Sequence, residues 1–314
     1  MITIREVREA AVRIAGLVHR TPVMTSATFD EWCGARIFFK CENLQKVGAF
    51  KARGALNAVR SLDSKSAACG VITHSSGNHG AALAWAARQR GIRCVVVMPR
   101  TAPAVKIEAV RGYGAEVVLC EIAERDATSA RLASERGLSM IHPFENPAVI
   151  AGQGTAALEL MEDVPALDAV ISPVGGGGLL AGTAIAVAGT SASTRVFGAE
   201  PAAVDDAARS LATGEHQPRV ENPQTICDGL LTRLGQPNFA VLRAHGVEIL
   251  TAEERQIRAA ARDVIERMKL VVEPSGAVGL AVIAAHKGRF AGRRVGVILT
   301  GGNTDLRWML GGTE

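Results

Sequence analysis

A lysine stands inside an apolar segment near the amino terminus of this sequence. In GAFKARGALNAV, Lys51 lies between Phe50 and Ala52, where the apolar periodicity of a helix begins. Apolar surroundings disfavour the charged form of an amine and lower its pKa, and a neutral amine can form a Schiff base with an aldehyde. Taken alone, Lys51 also fits a surface residue whose methylene stem packs on apolar groups.

Four consecutive glycines, Gly175 to Gly178, follow a predicted strand and open a predicted helix in VGGGGLL. Backbone N–H groups without side chains beside them, at the positive end of a helix, are typical of a phosphate site. The segment also fits a dinucleotide template, G-x-G-x-x-G/A, through Gly176, Gly178 and Ala181, and Glu200 ends the next strand where a ribose-binding acid would lie. A nicotinamide-dependent oxidoreductase therefore stays open from this loop alone.

A polar loop in THSSGNHGAA follows another predicted strand and leads into a helix. It groups hydroxyl, amide and N–H donors at a helix start, which favours a site for a substrate carboxylate or for catalysis. His79 taken alone is interpreted as a packing residue, because a single histidine beside a helix start is more often structural than catalytic. The residues of the loop are Ser75, Ser76, Gly77, Asn78 and His79.

Thr300 places a hydroxyl group at the end of the last predicted strand, in LTGGNTD. The two glycines after it are also compatible with a simple turn, but the hydroxyl could exchange a hydrogen bond with a ring nitrogen. Together with the amine of Lys51, the glycine loop and the polar loop, it completes the set of groups that pyridoxal phosphate (PLP) requires.

A repeat of strands and helices must position these loops. Short β-branched runs such as GVITH and CVVVMP alternate with Ala-rich helical segments, which predicts parallel sheets with right-handed crossovers and helices on both faces. Ligands bind at the carboxyl ends of strands in such sheets, where these loops lie. Two capping boxes are predicted as well, Thr3 with Glu6 and Thr251 with Glu254.

Composition limits the class of protein. The 314 residues are 48% hydrophobic, and the net charge of +4 is spread along the chain, so we predict two lobes and no nucleic-acid partner. The six cysteines form no CxxC pair, and no apolar stretch is long enough to cross a membrane. We therefore expect a cytoplasmic protein with reduced thiols and no membrane partner.

Five motifs, in order along nearly the whole chain, resemble the fold-type II PLP enzymes of the serine racemase and serine/threonine dehydratase family. The motifs are GAFKARGALNAV, SSGNHGAALAWAA, PVGGGGLLAG, ERMKLVVEPSGAVGLA and LTGGN. The resemblance implies a two-lobed α/β fold like that of the tryptophan synthase β subunit, with open, mostly parallel twisted sheets and helices on both faces. It further implies a large PLP-binding domain of residues 1–64 and 146–314, a small mobile substrate-loop domain of residues 65–145, and a homodimer.

The resemblance also implies roles for individual residues. Lys51 would hold PLP and act on the Cα proton from one face, and Ser76 would be the acid/base group on the opposite face. Thr300 would meet the pyridine nitrogen. The implied cofactor residues are Phe50, Lys51, Asn78, Gly175, Gly176, Gly177, Gly178, Glu273 and Thr300, and the implied substrate residues are Ser75, Ser76, Gly77, Asn78 and His79.

An acidic segment, GAEPAAVDD, resembles the divalent-cation site of the same family. Its implied ligands are Glu200, the backbone carbonyl of Val204, and Asp206, and such oxygen ligands suit Mg²⁺ or Ca²⁺. An acidic loop with a solvated face is the alternative. A cation here would brace the fold near the cofactor.

The activity implied is dehydration and deamination of a β-hydroxy amino acid of the L-serine or L-threonine type, giving a 2-keto acid and ammonia, with serine racemisation through Ser76 as a further activity. Three departures from the family pattern concern the substrate: Ala49 and Thr300 stand where serine is common, and Ala81 where glutamine is common. They leave bulkier or more acidic substrates open, such as 3-hydroxyaspartate or phenylserine. A nicotinamide oxidoreductase and a catalytically silent amino-acid sensor are the remaining alternatives.

Overall fold

The computed structural model describes residues 2–75, 77–102 and 104–309. Two sheets organise these residues. The larger sheet has six strands in the order β1-β2-β10-β7-β8-β9, and every neighbouring pair is parallel except β1 with β2. Its strands are β1 Val23–Met24, β2 Arg36–Cys41, β7 Ala169–Pro173, β8 Arg195–Pro201, β9 Glu248–Ala252 and β10 Arg294–Leu299.

The smaller sheet has four strands in the order β5-β4-β3-β6, and all of its pairs are parallel. Its strands are β3 Val71–His74, β4 Cys94–Pro99, β5 Glu116–Cys120 and β6 Ser139–Met140. The mostly parallel α/β architecture predicted from the sequence is therefore confirmed. All four strands lie within residues 65–145, the segment predicted as the small domain, whose boundaries and mobility stay a prediction.

Helices connect the strands and cover the sheets. They are α1 Ile4–Ile14, α2 Ala27–Cys33, α3 Lys51–Ser61, α4 Ser64–Cys69, α5 Asn78–Arg90, α6 Ala104–Gly112, α7 Arg125–Arg136, α8 Pro147–Asp163, α9 Gly178–Ala188, α10 Asp206–Thr213, α11 Gln236–Ala244, α12 Glu254–Asp263, α13 Pro274–Ala285 and α14 Lys287–Phe290. Within the described residues, no helix is long and apolar enough to span a membrane.

Both faces of the larger sheet are buried. On β7, Val170 packs into one apolar cluster and the next residue, Ile171, packs into another, and neither has any exposed surface. Because successive side chains of a strand point to opposite faces, helices must cover both sides of the sheet. Val95 and Val96 on β4 show the same division in the smaller sheet. The continuous β-branched runs of the sequence reflect this two-sided burial.

One of the two predicted capping boxes is confirmed. Thr3 and Glu6 cap α1, with the Thr3 N–H donating to Glu6 Oε2 over 2.8 Å. The prediction for Thr251 and Glu254 is wrong, because β9 continues through Ala252 in its pairing with β8 and delays the helix start. Glu253 is the N-cap of α12 instead, with Gln256 as its partner. Strand pairing thus overrode the local capping pattern.

Candidate active site

Lys51 is the first residue of α3, and the segment before it is fastened to the end of β10. The N–H of Phe50 donates to the carbonyl oxygen of Thr300 over 3.0 Å, and Ala49 pairs with Gly301 as an isolated β-bridge. The lysine loop and the LTGGN loop are 249 residues apart in the sequence, from Lys51 to Thr300, yet adjacent in space. The parallel pairing of β2 with β10 produces this neighbourhood, because it places both strand ends at the same edge.

The amine of Lys51 has a depressed pKa. Its Nζ donates to the carbonyl oxygen of Pro143 over 2.9 Å and lies 5.0 Å from the centroid of the Phe50 ring. Burial lowers the pKa of Lys51 to about 8, and no carboxylate offsets this effect. Desolvation penalises the ammonium form, so the neutral, nucleophilic amine is accessible near neutral pH. The sequence-based hypothesis for this lysine therefore has a physical basis in its surroundings.

The glycine loop joins β7 to α9 in a space that admits no side chain. A Cβ at Gly176 would lie 2.3 Å from the ring of Phe144, and one at Gly178 would lie 2.9 Å from the Phe144 carbonyl oxygen. Gly177 has a φ of +87°, in the left-handed region that favours glycine, and a Cβ there would also collide with Leu234. Close packing and backbone conformation together explain the run of glycines.

The backbone N–H groups of Gly175 to Gly178 donate to no oxygen of the described residues. They lie at the start of α9, where the unpaired N–H groups and the helix dipole attract an anion. The loop therefore fits a phosphate group, as the sequence predicts. A buried helix start left without any acceptor would be unfavourable, which makes a bound anion the simplest complement.

Asn238, in α11, holds the glycine loop against the segment that contacts Lys51. This residue is fully buried, and its Nδ2 donates to the carbonyl oxygens of Gly176 over 2.6 Å and Phe144 over 2.9 Å. Phe144 directly follows Pro143, the acceptor for the lysine amine. One short segment therefore contacts both the amine and the glycine loop. Sequence reasoning missed Asn238, since it lies in an unremarked helix and acts only on backbone oxygens.

The side chains of Asn78 and Glu273 are hydrogen-bonded. Asn78 Nδ2 donates to Glu273 Oε1 over 2.9 Å, and Asn303 Nδ2 donates to Asn78 Oδ1 over 2.9 Å. Burial raises the pKa of Glu273 to about 8, with a further contribution from the negative charge of Asp228. The structure thus brings together two predicted cofactor residues. Asn303 was not assigned a role from the sequence, although it ends the LTGGN motif.

The polar loop turns sharply before α5. Ser75 Oγ accepts the N–H of Gly77 over 3.2 Å, and a Cβ at Gly77 would lie 3.6 Å from Lys106 Nζ. The imidazole of His79 is buried, with its Nε2 3.3 Å from the Ile141 carbonyl oxygen. The His79 side chain therefore packs inside the protein, in agreement with its interpretation as a packing residue, and only its backbone can serve a substrate. Ser76 lies outside the described residues, so its role stays a prediction.

Thr300 is buried. Its carbonyl oxygen accepts the N–H of Phe50, the residue beside the lysine. A hydroxyl beside the amine loop is the group expected to meet a ring nitrogen. The lysine, the glycine loop and Thr300 thus fit the three parts of PLP, namely its aldehyde, phosphate and pyridine nitrogen.

The predicted cation ligands Glu200 and Asp206 are both buried. The Glu200 carboxylate accepts the N–H groups of Ala207 and Ala208 over 3.1 and 2.8 Å, and Asp206 Oδ2 accepts the N–H of Leu234 over 2.9 Å. Burial raises the pKa of Glu200 well above its ordinary value, and the charge of Asp206 raises it further. Two buried acids that repel each other suit a cation. The described part of the chain contains no group of three or more His, Cys, Asp or Glu side chains that could hold a metal ion.

The fold and these loops define a PLP-dependent enzyme. The chain belongs to the pyridoxal-phosphate dependent enzyme family, whose profile matches residues 14–301. It is similar to serine racemase of Dictyostelium discoideum, with 46% identity covering 97% of this chain and 96% of that protein. It is also similar to the beta-hydroxyaspartate dehydratase of Paracoccus denitrificans, with 47% identity covering 97% of both proteins.

Among solved structures, maize serine racemase matches with a TM-score of 0.93 and 42% identity, covering 98% of this chain and 97% of that one. A threonine deaminase structure matches with a TM-score of 0.92 and 43% identity, covering 97% of this chain and 99% of that one.

These similarities confirm the family resemblance, the fold class and the PLP dependence predicted from the sequence. They also account for the glycine loop as a loop of a PLP enzyme, so the alternative of a dinucleotide-binding loop is not needed to explain it. Glu200, which the dinucleotide template would direct toward a ribose, binds the start of α10 instead.

Proposed function

We propose that this protein removes water from a β-hydroxy amino acid of the L-serine or L-threonine type and releases a 2-keto acid and ammonia. The observation that carries this proposal is the Lys51 amine, whose pKa burial lowers to about 8 and which the Pro143–Phe144 segment links to the glycine loop. PLP, when bound, withdraws the electron pair that is left on the substrate Cα after deprotonation.

Lys51 has two tasks in this scheme. Its neutral amine would hold the aldehyde of the cofactor, and it would take the Cα proton of the substrate. A lysine with an ordinary pKa would be protonated at neutral pH and would serve neither task well. The Pro143 carbonyl oxygen, 2.9 Å from Nζ, holds the amine in position through a hydrogen bond.

The partners of the cofactor follow from the site. Gly175 to Gly178 would hold its phosphate with their N–H groups, Phe50 would pack on its ring, and the Thr300 hydroxyl would meet its ring nitrogen. A hydroxyl, unlike a carboxylate, would not stabilise a positive charge on that nitrogen. This choice of partner would favour expulsion of the β-hydroxyl group of the substrate.

The polar loop is proposed to bind the substrate carboxylate. Ser75, Asn78 and the N–H groups around Gly77 lie at the start of α5, where an anion is stabilised. Ser76 is proposed as the acid/base group on the face opposite Lys51, and the similarity to serine racemases supports racemisation as a second activity. Serine that is re-protonated from the second face would emerge as its mirror image.

A substrate with a second carboxylate is the other candidate. The similarity to a beta-hydroxyaspartate dehydratase supports it, and so does the ammonium group of Lys106 beside Gly77, at the edge of the polar loop. Lys106 also pairs with Asp228, which offsets part of its charge. The ratio of kcat/KM for L-threo-3-hydroxyaspartate to that for L-serine separates the two substrate classes.

A divalent cation is proposed at Glu200, the Val204 carbonyl and Asp206, where it would offset the repulsion between two buried acids. Mg²⁺ or Ca²⁺ suits these oxygen donors. Asp206 binds Leu234, whose neighbour Gly235 donates to the carbonyl oxygen of Gly176, so the cation would brace the glycine loop. A chelator that changes neither the melting temperature nor the rate would argue against this site.

We further propose a homodimer whose small lobe, residues 65–145, moves when substrate binds. Leu44 and Val271 are exposed by 44% and 49%, and Asn43, the neighbour of Leu44, donates from Nδ2 to the Val271 carbonyl oxygen. These two exposed apolar residues support the proposal of a contact with a second copy. The bonds of Asn78 and Lys106 to the large lobe are among those that lobe motion would have to alter. Sedimentation measurements with and without L-serine test both points.

The decisive experiment treats the purified yellow protein with borohydride and maps the modified peptide. Reduction should attach the pyridoxyl group to Lys51, and Lys51→Ala should lose both the modification and keto-acid release from L-serine, L-threonine and L-threo-3-hydroxyaspartate. Lys65→Ala, at an exposed position, is the control that should retain both. Attachment to another lysine, or failure of the wild-type protein to release keto acid from any β-hydroxy amino acid, would refute the proposed function.

A further inference from the structure

His142 lies beside the proposed active site, and the proposed reaction assigns it no role. It directly precedes Pro143, whose carbonyl oxygen accepts the Lys51 amine, and it follows β6 of the smaller sheet. The imidazole is partly exposed, with 29% of the side-chain surface open to solvent. Its ring is therefore accessible to a bound molecule while its backbone belongs to the segment that contacts the lysine.

Backbone contacts fix the tautomer of His142. Its Nδ1 accepts the N–H of Glu145 over 3.1 Å and lies 3.5 Å from the N–H of Phe144. A nitrogen that accepts a hydrogen bond from a backbone N–H carries no proton, so the neutral ring must carry its proton on Nε2. Burial lowers the pKa of His142, which favours the neutral ring near neutral pH. The residue therefore presents an Nε2–H donor.

The Nε2–H donor has no acceptor in the part of the chain that the structure describes. The carboxylate of Glu145 is 3.8 Å from Nε2, too far for a hydrogen bond. The ring is held edge to face against His74 and Phe144, with centroid distances of 5.3 and 4.6 Å, and its orientation is thus set by packing. His74 ends β3 and directly precedes Ser75, the first residue of the polar loop.

The surroundings of the ring place the donor between the two parts of the site that handle the substrate. On one side is the His74 end of the polar loop, where the substrate carboxylate is proposed to bind. On the other is Pro143, the next residue along the chain, whose carbonyl oxygen accepts the Lys51 amine over 2.9 Å. His142 therefore presents its Nε2–H beside both the segment that contacts the lysine amine and the strand end that leads into the polar loop, where a bound amino acid is proposed to lie.

We propose that His142 is a specificity-determining residue that donates a hydrogen bond from Nε2–H to the β-hydroxyl oxygen of the bound amino acid. This inference rests on the proposed function. In the elimination step the Cα proton passes to Lys51 and the electron pair of the Cα–H bond becomes the second bond between Cα and Cβ. The Cβ–O bond breaks with its electron pair on oxygen, and the hydroxide and the proton from Lys51 make one water molecule. His142 keeps its proton and stabilises the charge that develops on oxygen.

The test compares two leaving groups in two variants of His142. Asn places an acceptor near the position of Nδ1 but no donor at Nε2, whereas Gln places an amide donor near Nε2. For His142→Asn we expect kcat/KM for L-serine to fall about 10- to 100-fold, the range for a lost hydrogen bond to developing charge. For β-chloro-L-alanine we expect a change below about 3-fold, because chloride is weakly basic and gains little from a donor. His142→Gln should recover part of the L-serine rate.

Several outcomes separate this inference from simpler accounts. If His142→Asn slows L-serine and β-chloro-L-alanine equally, the residue acts through folding and the inference is overturned. His245→Asn, at an exposed position, is the matched control and should leave both rates unchanged. If the wild-type protein acts on neither compound, the proposed function itself fails.

A second measurement does not depend on activity. In ¹⁵N spectra of histidine-labelled full-length protein, the resonance that is lost in His142→Asn or His142→Gln belongs to His142. In the wild-type protein this resonance should show a neutral ring protonated at Nε2. A ring protonated at Nδ1 would overturn the inference even if one of the variants fails to fold.

Discussion

Asn78 and Glu273 are 195 residues apart in the sequence, yet Asn78 Nδ2 donates to Glu273 Oε1 over 2.9 Å. Asn78 begins α5 beside the smaller sheet, whereas Glu273 is the N-cap of α13, which packs on the larger sheet. The bond therefore joins the polar loop to the main body of the protein. Glu273 Oε1 is also 2.6 Å from the position of a Cβ on Gly301, so no side chain fits between the acid and the LTGGN loop.

The raised pKa of Glu273 makes stability depend on pH. Burial raises this pKa from 4.5 to about 8, so between these values the folded state binds a proton that the unfolded state has lost. The stability contribution is complete below pH 4.5 and is lost as the pH rises through 8, by at most about 1.4 kcal/mol per pH unit. Urea unfolding from about pH 5 to 9 should show this decline in the wild-type protein and a smaller decline in Glu273→Gln. Parallel curves for the two proteins would contradict the assigned pKa.

The reactivity of Lys51 should follow its lowered pKa. Because burial lowers this pKa to about 8, labelling of Lys51 by acetic anhydride should rise with pH and level off just above 8. The measurement is mass spectrometry of the peptide containing residue 51 across a pH series, with PLP removed beforehand and the exposed Lys65 as the internal reference. A Lys51 profile that still rises steeply at about pH 10 would show that the surroundings do not perturb the amine.

Much of this site is readable from the sequence because its residues lie in short motifs at strand ends. Lys51, the four glycines and Thr300 each follow a β-branched run or open an Ala-rich helix, and local pattern alone indicates the edge of the sheet where they meet. The contacts between those motifs are not readable in the same way. That Glu273 pairs with Asn78 depends on how two sheets pack, and sequence spacing contains no such information.

Other parts of the site give no local signal at all. Asn238 donates only to backbone oxygens, so an asparagine at any helix position that faces the glycine loop could have made these bonds. His142 acquires its donor through the N–H groups that follow it, a matter of backbone conformation. The predicted cap at Thr251 failed for the opposite reason, since its local pattern was clear but strand pairing extended past it. Sequence reasoning therefore misses residues that bind backbone groups, and residues whose hydrogen bonding is set by the backbone.

Substitution of Gly176 tests the close packing of the glycine loop. A Cβ at this position would lie 2.3 Å from the Phe144 ring, so Gly176→Ala must displace the ring or the loop. We expect loss of PLP absorbance and a destabilisation of about 1 to 3 kcal/mol in urea unfolding, the usual cost of overpacking. Gly288→Ala is the control, because a Cβ there meets nothing within 4 Å.

A second substitution identifies the source of the Gly176 effect. Phe144→Ala removes the ring that a Cβ would strike, so Gly176→Ala should cost less in the Phe144→Ala background than in the wild-type protein. The double-mutant cycle measures this difference directly. Additive losses would show that the ring is not the obstacle and that the glycine is needed for another reason.

Asn238 should control PLP affinity through the glycine loop without touching the cofactor. Its Nδ2 binds the carbonyl oxygens of Gly176 and Phe144, and Asn238→Asp replaces this donor with a carboxylate that repels both. We expect the Kd for PLP, measured by equilibrium dialysis, to rise about 10- to 100-fold. Two buried carbonyl oxygens lose their hydrogen-bond donor, at about 1 to 3 kcal/mol each. Part of that cost also destabilises the protein without PLP, so only the remainder lowers the affinity. Gln236→Ala, at an exposed position on the same helix, should leave the Kd unchanged. If Asn238→Asp binds PLP as tightly as the wild-type protein, the position of the glycine loop is set by the glycines and Phe144 alone.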